Sequence, residues 1–224
     1  MRRTVPFLFA LLMLAGALPA VAADWVTRPG SWLQFETSYD GEPFEGRFER
    51  FVPVLRFDPA RLDDARFDVR IDLASAGTGH DERDEVLAGD EFLDAGAVAD
   101  ARYVATRFRA LGGDRFVADG ELTLRGVTRP VALAFTWRAG AQPVLDGEAT
   151  VPRLAFGIGT GDWADTALLP DAVKVRTHLV LQPAPESAPQ ERLQPRNART
   201  ASASKGQSSS APVSSRRSTG IRAP

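Results

Sequence analysis

Between residues 31 and 181, large apolar side chains recur at every second position. Phe67, Val69, Ile71 and Leu73 are separated by Asp68, Arg70 and Asp72. Phe116, Ala118, Gly120, Leu122 and Leu124 form a second run, and Val131, Leu133, Phe135 and Trp137 a third. Leu33 and Phe35 flank Gln34, and Val173, Val175, Thr177, Leu179 and Leu181 alternate with Lys174, Arg176, His178 and Val180. A period of two is the signature of strands that bury one face and wet the other. Turn-forming pairs punctuate the runs: Asp40-Gly41, Asp58-Pro59, Gly112-Gly113-Asp114, Arg125-Gly126, Ala139-Gly140 and Asp146-Gly147. Strands at this spacing predict an all-β domain, an antiparallel sandwich or barrel.

One stretch breaks the pattern. Residues 81–93 do not alternate, and they read as a short helix and turn with Val86, Leu87 and Phe92 inward. Asp81, Glu82, Asp84 and Glu85 fall in its first turns, where carboxylates favour the helix dipole. The spaced ligands and central glycine of a calcium loop are missing.

Charge divides the chain into three pieces. Residues 1–23 carry +2. Residues 24–182 hold 18 Lys/Arg against 27 Asp/Glu, and residues 183–224 hold 7 against 2. An acidic middle piece argues against nucleic acid as a partner. No Cys is present, which excludes a disulfide framework, a thiolate nucleophile and a Cys-based zinc site. The first piece joins Arg2-Arg3 to an apolar run from Val5 to Leu18 and to Pro19-Ala20-Val21-Ala22-Ala23. That pattern predicts a secretory signal peptide and a soluble periplasmic product. The last piece is rich in Ser, Ala, Pro and Arg, without aromatics, and is expected to be a disordered basic tail. It is suited either to weak contact with an anionic membrane surface or to no role beyond a solvated extension.

The sequence carries no recognisable catalytic pattern. No G-x-S-x-G elbow accompanies Ser31, Ser38 or Ser75, and neither His80 nor His178 has a neighbouring partner in sequence. Gly157-Ile158-Gly159-Thr160-Gly161 is followed by Asp162-Trp163 rather than by a helix, so a turn is preferred to a phosphate cradle. No enzyme, metal or cofactor is expected.

Several segments are similar to one known family. Gly120-Glu-Leu-Thr-Leu-Arg-Gly-Val-Thr-Arg-Pro-Val131 resembles its G-x-L-T-I-x-G-V-T-K-P-V hairpin. Phe57-Asp58-Pro59, the stretch from Val69 to Thr78, Glu82-Arg83-Asp84 with Leu87, and Asp90-Glu91-Phe92-Leu93 follow the family's order. Arg153-Leu154-Ala155-Phe156-Gly157-Ile158-Gly159 looks like its R-x-x-F-G-I-G segment. The family is the YceI-like group of periplasmic polyisoprenoid-binding proteins, and the likeness covers residues 24–182. Three features depart from it: Val98-Ala99 replaces the usual aromatic-Pro pair, the His often found on the first strand is either replaced by Thr37 or absent, and Arg129 replaces a Lys.

The resemblance implies a lipocalin-like antiparallel barrel of about eight strands, a helix near one end, and an apolar tunnel for an isoprenoid or similar amphiphile. The implied walls are Phe35, Phe48, Phe57, Val69, Ile71, Leu122, Leu124, Leu133, Phe135, Phe156 and Val175. Arg107, sharing the parity of Tyr103, and Arg47, between Phe44 and Phe48, are candidates to face a polar head, with plain solvent exposure as the alternative. Periodicity alone leaves open a barrel filled by its own side chains, acting as an envelope interaction module through its tail. A homodimer through strand edges is also left open.

Overall fold

The structure, a computed structural model, describes residues 24–185. Residues 1–23, where the sequence predicts a signal peptide, and residues from Glu186 onward, most of the tail expected over 183–224, lie outside the described residues.

Eleven strands make one sheet: β1 Asp24–Thr27, β2 Trp32–Tyr39, β3 Glu42–Phe48, β4 Phe51–Arg56, β5 Arg66–Asp72, β6 Ala76–Gly77, β7 Asp100–Gly112, β8 Arg115–Leu124, β9 Val127–Arg138, β10 Val144–Pro152 and β11 Ala172–Pro183. Every neighbouring pair is antiparallel. Three of the staves are interrupted. β1 and β2 run along one side of β11, β3 and β4 face them, and β5 continues into β6. Pairing of β1 with β11 closes an eight-staved barrel. Closure pairs the chain's first and last strands with each other.

The turns follow from local chemistry. Asp40 and Gly41 (φ 49° and 79°) join β2 to β3, and Arg125 and Gly126 (φ 51° and 74°) join β8 to β9. Two successive positive φ values match the twist of a tight hairpin, and glycine supplies the second without strain. Asp146-Gly147 is not a turn. Both residues sit inside β10, where Gly147 pairs with Phe135 and Thr177. The turn propensity of the pair yields to a packing need, because a Cβ on Gly147 meets Leu133 Cδ1 and Thr177 Cγ2 at 3.0 Å.

The short helix α1 covers Asp81–Ala88, with Asp81, Glu82 and Asp84 in its first turn. Thr78 donates from its backbone N (2.7 Å) and its Oγ1 (2.6 Å) to the Asp84 carboxylate, tying the helix to β6. Leu87 and Phe92 pack on the core. Val86, expected inward, is 43 % exposed, since one helical face cannot bury both adjacent residues.

The interior is filled unevenly. At the end where β4, β5, β7, β8 and β9 converge on Phe57, its ring lies 4.9–5.9 Å from those of Phe67, Phe108, Phe116, Phe135 and Trp137. Trp25 completes this plug: its ring meets Trp137 at 5.8 Å and its Nε1 donates to the Phe57 carbonyl at 3.1 Å. Phe108 joins the plug because the register of β7 slips between Ala105 and Arg107. The bulge reverses side-chain parity, so Arg107 faces solvent instead of sharing the side of Tyr103.

Bidentate ion pairs dress the outer face. Arg102 holds Asp68 at 2.8 and 2.6 Å, and Arg109 holds Asp119 at 2.9 and 3.1 Å. They lower both carboxyl pKa values through hydrogen bonding to the charged form. β11 ends one residue beyond the expected domain boundary, at Pro183, and Ala184 N donates to the Asp24 carbonyl at 2.7 Å.

Tyr103 and Gly120 test the wall's packing. A Cβ on Gly120 lies 2.5 Å from Tyr103 Cζ, in a ring whose hydroxyl donates to the Ala118 carbonyl at 3.0 Å. Gly120→Ala is expected to cost about 1–3 kcal/mol and to lower the melting temperature by roughly 3–10 °C, read by circular dichroism. An unchanged melt contradicts this packing.

Candidate functional site: an apolar cavity under a pinned cap

Beyond the plug the barrel is hollow. A cavity of about 220 Å³ lies between Phe67 at its floor and a cap at the opposite end. Leu33 and Phe35 of β2, Phe51 and Leu55 of β4, Val69 and Ile71 of β5, Leu122 and Leu124 of β8, Leu133 of β9 and Val175 of β11 are among its walls. They converge because each is the inward member of an alternating run.

The placement of the eleven expected wall residues is uneven. Phe35, Phe48, Val69, Ile71, Leu122, Leu124, Leu133 and Val175 line the cavity. Phe57, Phe135 and Phe156 do not. Phe57 and Phe135 meet edge to face at 5.2 Å inside the plug, away from the hollow half. Phe156 is fully buried (1 %) on a 3₁₀ turn, Arg153–Phe156, where strand parity no longer applies. Arg47 points to solvent rather than to the cavity.

The cap consists of α1, the turn after it, and residues 157–171. Leu87, Phe92, Leu93, Ile158 and Leu169 turn its underside toward the cavity. Two arginines hold it. Arg125, at the β8–β9 turn, donates to the carbonyls of Asp90 (2.7 Å), Phe92 (2.9 Å) and Gly157 (2.6 Å). Arg153 is 2 % exposed. Its Nε donates to Pro170 O (3.1 Å), one terminal nitrogen to Ile158 O (2.9 Å) and Gly159 O, and the other to Trp163 O and Leu169 O (both 2.7 Å). All five guanidinium N–H groups are thus used on main-chain carbonyls. Burial pulls the Arg153 pKa down, while the nearby Asp171 charge opposes the shift. Sequence reading found this arginine only as part of a motif. The available signal was a lone cation between Val151 and Phe156 in an otherwise apolar stretch.

Four lining residues carry polar side-chain atoms: Thr37, Tyr103, Arg153 and Thr177. Tyr103 and Thr177 are committed to carbonyls of Ala118 and Trp32. Burial pushes the Tyr103 hydroxyl pKa up, so it stays neutral. A chamber with such walls is suited to keeping an apolar guest out of water, and it presents no paired acid and base. Among the described residues no group of three or more His, Cys, Asp or Glu is placed to hold a metal ion. His178 lies on the outer face, where Nδ1 and Asp146 are 2.6 Å apart and the ring stacks on Trp32.

A closed antiparallel barrel with an internal apolar chamber and a helical cap defines a lipocalin-like class of architecture. The model of the YceI-like domain matches residues 27–181, and the chain belongs to the YceI-like family. It is similar to a UPF0312 protein of Pseudomonas fluorescens, 34 % identical over 153 residues, covering 61 % of this chain and 77 % of the relative. Among solved structures it is similar to Burkholderia cenocepacia BcnA, with 31 % identity, a TM-score of 0.64, and coverage of 67 % of this chain and 95 % of that one. A polyisoprenoid binding domain from Saccharophagus degradans, implicated in plant cell wall breakdown, shares the fold at 18 % identity and a TM-score of 0.54, covering 73 % and 99 %. Among the described residues no helix is long and apolar enough to cross a membrane.

Arg153→Ala removes a side chain that bridges both ends of the 157–170 segment. Amide hydrogen exchange there is expected to rise at least about tenfold, because the freed carbonyls seek water and the segment opens locally. Arg153→Lys, with three donors in place of five, is expected not to restore protection. Wild-type exchange in Arg153→Ala contradicts the pinning role.

Proposed function

We propose that this protein is a non-catalytic carrier that holds the apolar chain of an isoprenoid or similar amphiphile inside its barrel, working in the periplasm after export. The observation that carries the reading is the chamber itself: about 220 Å³ of apolar-walled space enclosed between an aromatic plug and a pinned cap. A barrel that served only as a filled interaction module has no use for it. At about 10–15 Å³ per water-sized group, the chamber takes on the order of fifteen such groups, or about three five-carbon units.

The energetics are adequate. Burying each CH₂ contributes about 0.8 kcal/mol, so one five-carbon unit contributes up to roughly 4 kcal/mol before costs. Ordering the chain and losing free translation consume several kcal/mol. Two or three units still leave useful affinity. Family membership supports the reading, and so does the fold shared with the Saccharophagus degradans domain described as polyisoprenoid-binding. The commitment of Tyr103, Arg153 and Thr177 to carbonyls supports storage rather than chemistry. The basic, apolar and small-residue order of residues 1–23 supports export.

The test is to purify the protein from the envelope fraction of producing cells, extract it with organic solvent and identify the extract by mass spectrometry. A prenyl lipid or similar amphiphile is expected, and a hundredfold excess over its Kd is expected to add about 2.7 kcal/mol of stability. Recovery of no lipid, together with no protection by added prenyl lipids in thermal melts, overturns the carrier reading.

A further inference from the structure

The wall is not paired along its whole length: β9 and β10 part beyond Ala134↔Glu148, and β2 and β11 part beside Thr37. The β2–β11 ladder runs from His178↔Trp32 to Lys174↔Glu36 and stops there. β2 continues to Tyr39 along β3, and β11 begins at Ala172 along β10, so the two strands part over their last residues. Beyond the parting the β2–β3 turn meets the cap, where Asp40 N donates to Leu168 O at 2.9 Å. A gap bounded at both ends therefore opens sideways. An outer crevice lies against it, lined by residues that include Ser38, Pro43, Pro170 and Ala172. Thr37 and Phe44 line both this crevice and the inner cavity, so the two spaces meet at these side chains.

Thr37 is also where the polar accounting fails. Its Oγ1 is buried and has no hydrogen-bond partner, alone among the polar side chains on the cavity wall. A buried hydroxyl without a partner costs about 1–3 kcal/mol, which a guest that supplies a partner recovers. The charges around the gap do not form an anion site. Glu36 is held by Arg176 at 2.6 Å, Lys174 faces Glu148 at 3.9 Å, Glu45 is exposed, and the Arg83 guanidinium lies 4.4 Å over the Phe44 ring. Positive and negative groups are balanced there, and no fork of free donors points inward.

We infer that the gap between β2 and β11 seats the head of the bound amphiphile, that this head is uncharged, and that Thr37 Oγ1 hydrogen-bonds its oxygen while the chain lies in the cavity. The inference rests on the carrier reading above. It makes Thr37 a specificity-determining residue and the gap the route by which the chain enters and leaves.

The experiment compares three 15-carbon probes with one skeleton: farnesol, the hydrocarbon farnesene and farnesyl phosphate. Each is titrated into wild-type protein, Thr37→Val and Thr37→Ser. Wild type is expected to bind farnesol about fivefold more tightly than farnesene, the worth of one net hydrogen bond, and farnesyl phosphate no more tightly than farnesene. Thr37→Val is expected to lose the farnesol advantage while keeping farnesene affinity, and Thr37→Ser to retain it. Ala172→Trp, which fills the crevice, is expected to slow uptake and release of farnesol at least tenfold. Equal loss for farnesol and farnesene in Thr37→Val, no loss in either, preference for the phosphate, or unchanged rates in Ala172→Trp overturns the inference. Failure of wild type to bind farnesene overturns the carrier reading itself, which separates the two.

Discussion

The interior of this barrel is organised by Phe57. Its ring meets five others within 5.9 Å, drawn from β5, β7, β8 and β9, and its carbonyl accepts the indole N–H of Trp25 from β1. Edge-on and tilted aromatic contacts of this kind each add about 0.5–1.5 kcal/mol beyond buried area. Concentrating large rings at one end secures the core there. The other end mixes leucines, valines and isoleucines with Phe35, Phe48, Phe51 and Phe92, whose rings stay on the wall and cap and do not join the plug, and the hollow half lies there.

A hollow apolar half needs a cover, and the cover needs main-chain partners where the strands end. Arg125 and Arg153 meet that need from within the barrel. Each spends its guanidinium on carbonyls of the cap rather than on a carboxylate. Arginine suits the task because its planar fork offers five donors to fixed acceptors. The resulting cap is tied to the β8–β9 turn and to the end of β10, so cavity and cover share the same wall. The family match spans residues 27–181, which hold the cavity, the cap and all of the plug but Trp25.

Much of this was legible from period two. The inward faces of β5, β8, β9 and β11 follow directly from alternation, as do the hairpin turns at Asp40-Gly41 and Arg125-Gly126. Depth along the barrel was not legible. Phe135 and Leu133 have the same parity on β9, yet one belongs to the plug and the other to the cavity. Periodicity names a face and says nothing of the height at which rings cluster. Two local features also hid from it. The β7 bulge reversed Arg107 and Phe108, and Asp146-Gly147 kept strand geometry because Leu133 and Thr177 fill the space a Cβ needs. The unpaired seam beside Thr37 depends on where two ladders stop, which no single strand's sequence encodes.

The central claim is that the cavity, not the surface, receives the apolar chain. A headless isoprenoid hydrocarbon titrated into wild-type protein and into Leu133→Trp, which fills the chamber from β9, tests it directly by thermal unfolding. Wild type is expected to gain stability with hydrocarbon concentration, while Leu133→Trp keeps a wild-type melt on its own and does not respond. An equal response in both proteins places the chain elsewhere and contradicts the account.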